Sequence, residues 1–153
     1  MRPLRNSPAA IRDNRRGTIP VVLCVFILAS CTQSKTLTAE DIKRELASAV
    51  SLASETQMFV EQWQEDRLTA SFIKAHLGYL TDEAWSSIKE IGDSQVEPAI
   101  ASKAEICRTQ LKALRRELLI LRTDADSDVR PLQIDFERIE RIRKSLQNAK
   151  STS

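Results

Sequence analysis

Residues 98–122, PAIASKAEICRTQLKALRRELLILR, decide the fold. Within them Ile100, Ala104, Cys107, Leu111, Leu114, Leu118 and Leu121 recur in steps of four and three, an unbroken apolar seam along one side of a helix. Such a seam is stable in water only when other helices cover it. Pro98 stands at the start, where its missing N–H costs nothing and its fixed φ suits a first turn. The rest of the chain has to supply the covering partners.

Upstream, Ile42, Leu46, Ala49, Ala53, Thr56, Val60 and Trp63 form a second stripe of the same kind, widened by Val50, Leu52 and Phe59. Thr38 suits the N-cap with Asp41 in the first turn, and Leu37 and Ile42 occupy the two positions of a hydrophobic staple. The phase breaks across Gln62–Arg67, because continuing the stripe would bury Arg67 and Lys74. A new helix carrying Ile73, Leu77, Leu80, Ala84, Ile88 and Ile91 is the simpler reading, with Thr69 as its cap and Gly92 as a left-handed exit. One continuous helix from Thr38 to Ile91 is the alternative, since no proline or glycine interrupts residues 64–68. Downstream, the acidic run Thr123–Asp128 suits a helix N-terminus, and a fourth helix carries Val129, Leu132, Phe136, Ile139, Ile142 and Leu146. Nothing alternates with period two for long enough to make a strand. The expected fold is all-α, an antiparallel up-down-up-down four-helix bundle over residues 38–148 with a frayed tail at 149–153.

The N-terminal region is of another kind. A basic stretch with Arg2, Arg5, Arg12, Arg15 and Arg16 precedes an apolar run from Ile19 to Leu28, followed by Leu28-Ala29-Ser30-Cys31. This is the layout of an export signal. The four residues resemble the lipobox of bacterial prolipoproteins, a resemblance confined to the leader and Cys31. It implies that residues 1–30 are a removed signal peptide and that Cys31 becomes the lipidated first residue. Residues 31–37 then form a lipidated tether. Two or more acyl chains hold a small domain at a bilayer without any spanning helix. The ten-residue apolar run is well short of the roughly 20 residues a spanning helix needs. A cysteine that happens to follow an ordinary cleavage site is the competing reading. The Arg15-Arg16 pair is a weak hint of export in a folded state. If the cell has two membranes, Thr32 after the cysteine resembles the class sorted to the outer membrane, facing the periplasm.

Loss of the leader changes the charge. The whole chain has 23 basic and 21 acidic residues, but five arginines and only Asp13 lie in residues 1–30, so the remainder carries a net charge of −2. The overall basicity therefore gives no reason to expect a nucleic-acid partner. Cysteine usage shifts likewise: with Cys24 removed and Cys31 acylated, Cys107 stands alone and no internal disulfide can form.

Residues that could carry chemistry are few. His76, the only histidine, sits beside the apolar stripe of the second helix, and Ile73 stands where a Glu-x-x-His metal pair needs its glutamate. Met58 and His76 belong to no haem motif. Cys107, inside a leucine seam, reads as a small buried thiol rather than an activated nucleophile. Ser86 and Ser87 have no partner histidine in the sequence, and no glycine-rich phosphate loop is present. The expectation is a binding or structural module and not an enzyme, with no cofactor, no metal and no evident small-molecule substrate. An enzyme, or a metal or redox protein, with an unrecognised site in the bundle core is the alternative.

One pattern stands out. Arg108, Arg115 and Arg122 recur every seven residues beside the helix-three seam, with Lys112 and Arg116 close by, and residues 97–153 carry 12 basic against 9 acidic groups where residues 31–96 carry 6 against 11. The preferred reading is a flank of ion pairs between complementary hairpins. The functional reading is an interaction face for an envelope protein, anionic lipid head groups or an anionic polymer.

Overall fold

The computed structural model describes residues 36–127 and 129–152; the leader, Cys31 and the tether up to residue 35 lie outside the described residues. Four helices make up almost all of it: α1 (Ala39–Gln64), α2 (Ala70–Asp93), α3 (Ala101–Asp126) and α4 (Gln133–Ser151). The fold is an all-α bundle. Two-residue strands β1 (Thr36–Leu37) and β2 (Gln95–Val96) pair in parallel, Thr36 with Gln95 and Leu37 with Val96. A single 3-10 turn, Pro98–Ile100, leads into α3.

The start of α1 follows its sequence closely. Thr38 Oγ1 accepts a hydrogen bond from the Asp41 N–H at 3.3 Å, and Asp41 Oδ2 accepts from the Thr38 N–H at 3.1 Å, which closes the capping box. Leu37 and Ile42 are both buried. The helix stops at Glu65 although no glycine or proline is near. Asp66 takes a left-handed conformation with φ 64°, its N–H bonding to the Trp63 carbonyl while the Arg67 N–H reaches the Gln62 carbonyl. That hydrogen-bond pair is a Schellman ending built on aspartate, one of the few residue types that tolerate this backbone. Thr69 then caps α2, accepting from the Phe72 N–H at 3.3 Å. The first two helices are therefore separate.

Four local expectations are corrected. Gly92 is not a left-handed exit: no glycine among the described residues has positive φ, α2 runs through Asp93, and extended Ser94 leads into β2. Thr123–Asp126 do not open α4 but complete α3, with the Ser127 N–H bonding to the carbonyls of Thr123 and Asp124 and the Val129 N–H to that of Asp124. Asp128 lies outside the described residues. Pro131 disfavours helical backbone at Arg130, and extended Leu132, its N–H bonded by Asp135, is the N-cap from which α4 begins at Gln133, so Val129 and Leu132 are exposed instead of joining the core. Residues 129–132 cross the end of α1, where Gln64 Nε2 donates to the Pro131 carbonyl at 3.2 Å. At the other end α4 continues through Ser151, Ala149 is buried, and Lys103 Nζ donates to the Thr152 carbonyl at 2.9 Å. Of the segment expected to fray, residues 149–152 continue α4 or cap it, and Ser153 lies outside the described residues.

The core belongs to the stripes. Leu46, Val60, Leu77, Leu80, Leu111, Leu114, Leu118, Leu121, Ile139 and Leu146 are fully buried in one cluster. Each such side chain contributes about 1.5–3 kcal/mol by leaving water. Thr56 and Thr81 enter the same core because each hydroxyl donates to the carbonyl four residues earlier, Leu52 and Leu77 respectively, at 2.8 and 2.7 Å. The most extensive packing is of α2 on α3 and of α1 on α4, with α3 against α4 joining the two pairs.

Candidate cationic face on α2 and α3

The arginine row of α3 lies along its border with α2. Arg115 places its guanidinium over the Trp85 ring, 4.9 Å from the centroid. Seven residues earlier on α3, Arg108 Nε lies 3.9 Å from where a Cβ on Gly92 would stand. From Trp85 and Arg115 to Gly92 and Arg108, numbers rise by seven on α2 as they fall by seven on α3. Gly78, Trp85 and Gly92 thus form a second seven-residue row, complementary to the first. That row was open to sequence reading, since all three are at equal spacing on the flank of the α2 stripe.

A Cβ on Gly78 would meet nothing within 4 Å and one on Gly92 would meet only Arg108 Nε at 3.9 Å, so no close neighbour demands either glycine, and α2 is low on either side of the exposed indole. The Nε atoms of Arg108 and Arg115 are buried without a hydrogen-bond partner in the described structure. Their stems are covered while the ends of the guanidinium groups reach outward, as long cationic side chains do at an apolar border.

The electrostatics differ from an ion-pair flank. Arg108 pairs with Glu105 of its own helix at 3.6 Å. Among the described residues, Lys112, Arg115, Arg116 and Arg122 have no carboxylate within 4.0 Å. Among the described residues none of the three heptad arginines is joined to another helix by an ion pair. Cross-helix pairs sit elsewhere, Lys74 with Asp126 at 3.2 Å and Arg138 with Glu117 at 3.4 Å, while Arg130 and Asp66 pair between two connecting segments. Between Trp85 and α3 a shallow hollow of about 360 Å³ is lined by Ile88 and Leu119 together with Lys112, Arg115 and Arg116. Trp85 is 51% and Leu119 39% exposed, so apolar surface lies among the unpaired cations.

The other singled-out residues lie apart from this face. His76 is at the rim between α1 and α2, stacked on Phe72 at 5.3 Å between centroids, 4.9 Å from Phe59, with Nε2 3.3 Å from Glu55. Met58 is exposed. Cys107 is fully buried, and desolvation, reinforced by the negative charge of Glu45, pushes its thiol up to about 12. Ser86 is exposed and Ser87 half-buried on α2. Among the described residues no group of three or more His, Cys, Asp or Glu could hold a metal ion, and no helix is long and apolar enough to cross a membrane. Cys31 lies outside the described residues. No protein-family model matches the chain, and no curated protein or solved structure matches it either.

Proposed function

We propose that the chain is a lipid-anchored binding or structural module of the bacterial envelope, tied to a membrane through acylated Cys31 and presenting its α2–α3 face to an anionic partner. In a cell with two membranes its place is the outer membrane, facing the periplasm. The observation that carries the binding role is the set of cations Lys112, Arg115, Arg116 and Arg122 without carboxylate partners among the described residues, the first three around an exposed indole and Arg122 further along α3. Four cations left unneutralised along one face create a field that draws polyanions. The lipobox Leu28-Ala29-Ser30-Cys31 supports the anchor. An up-down-up-down path of the four helices is supported by contacts between opposite helix ends: Lys74 with Asp126, Lys103 with Thr152, and Gln64 with Pro131. Recognition of this kind needs no catalytic group.

Chromatography on a polyanionic resin tests the binding role. The unlipidated chain from residue 31 onward is expected to be retained and to elute with salt, and reversal of Arg108, Arg115 and Arg122 to Glu should abolish retention while the circular-dichroism spectrum stays helical. Equal retention of both proteins would refute the role given to this face.

A further inference from the structure

We infer that the anionic partner of the α2–α3 face is the bilayer itself: the face seats anionic phospholipid head groups, so the domain lies along the membrane that holds its anchor. This rests on the lipid-anchored reading above. Three observations converge on it.

The first is reach. Only residues 31–35 separate the lipidated cysteine from β1, and at about 3.3–3.6 Å per residue they span no more than about 18 Å. The paired β1–β2 strands fix the tether's far end to Gln95 and Val96, directly between α2 and α3. The described chain therefore starts at the α2–α3 connection, and a tether of this reach would keep the face at high local concentration over the lipid.

The second is the distribution of charge. From Arg108 to Arg122 the α3 border runs about 21 Å along the helix axis, with Lys112, Arg115 and Arg116 between. Over this length the face presents cations to an extended surface rather than to one point. Polybasic surfaces of this kind add to a lipid anchor by attraction to anionic lipid.

The third is the apolar component. Trp85 and Leu119 stand exposed among the cations, and the hollow between them has Ile88 at its base and Lys112, Arg115 and Arg116 around it. An indole with cationic neighbours suits the head-group level of a bilayer, where one end of a side chain is apolar and the other wet. A phosphodiester on the cations would bring the glycerol and the roots of its acyl chains over Leu119 and Ile88. An acidic peptide would meet the same cations but gain nothing from the short tether.

The test couples the unlipidated chain from residue 31 through its Cys31 thiol to maleimide lipid, Cys107 being buried, in vesicles of phosphatidylcholine with or without phosphatidylglycerol. Trp63 is replaced by Phe, so that emission reports Trp85 alone. Quenching by lipids spin-labelled near the head group is expected with phosphatidylglycerol, weak without it and reversed by salt. Cosedimentation of the uncoupled chain should show about tenfold weaker partitioning after reversal of Lys112 and Arg116 to Glu. No quenching in coupled anionic vesicles overturns the inference. If retention on the polyanionic resin persists in that case, the face still binds an anion, but one outside the membrane. Equal quenching with and without phosphatidylglycerol also overturns it.

Discussion

Arg115 and Trp85 form a cation–π contact across α2 and α3, with the guanidinium carbon 4.9 Å from the ring centroid. It joins the two seven-residue rows at their midpoint and holds an arginine that has no ion-pair partner among the described residues. At a partly exposed site such a contact contributes about 0.5–1 kcal/mol. A double-mutant cycle over Trp85→Ala and Arg115→Ala, measured by urea unfolding, should return a coupling in that range. A coupling of zero would show that the two side chains are merely adjacent.

The helix-three seam should dominate stability. Leu118 is fully buried, and Leu118→Ala should cost about 2–5 kcal/mol through lost burial and the cavity left behind. Exposed Leu119 is its neighbour in sequence, and Leu119→Ala should cost well under 1 kcal/mol. Paired thermal melts check the contrast, and comparable losses would misplace the seam.

Asp135 secures the entry to α4. Its Oδ2 accepts from the Leu132 N–H at 2.8 Å, and its other oxygen lies 3.8 Å from Arg138, although the side chain is almost wholly buried. Asp135→Ala should cost about 1–2 kcal/mol by losing the cap bond and leaving the Leu132 N–H without its partner. Asp135→Asn, which keeps an acceptor, should recover part of this in the same unfolding assay.

Cys107 gives a pH signature. Burial raises its thiol from 9.0 to about 12, so the folded chain keeps the proton where the unfolded chain has lost it. The resulting stability is fully present below about pH 9 and declines as pH rises toward 12. The unfolding free energy of the wild type should therefore fall with rising alkalinity more steeply than that of Cys107→Ala. Thiol reagents should leave native Cys107 unlabelled until the domain unfolds.

Much of this architecture was legible in the sequence because burial follows period. The seams ending in Trp63, Ile91 and Leu121 are buried at every named position, and Thr38 and Thr69 cap the helices that they precede. What period does not encode was harder to read. The acidic run after Arg122 has the composition of a helix start, yet it completes α3, and the α4 entry is set later by extended Leu132 with its Asp135 cap. Ending α1 depends on Asp66 adopting positive φ, which aspartate does only in context. The β1–β2 pairing rests on two residues per strand, too few to leave a pattern. The arginine row is visible in the sequence, whereas Gly92 reads there as a helix exit and not as a low point on the flank beside Trp85.

The lipid anchor is the premise of the account, and intact-mass measurement of the protein extracted from bacterial membranes tests it most directly. The expected mass is that of residues 31–153 carrying a diacylglyceryl group on Cys31, commonly with a further acyl chain on its amino group, and Cys31→Ser should remove the modification. A membrane-extracted protein that retains residues 1–30, or that begins at residue 31 with an unmodified thiol, would contradict it.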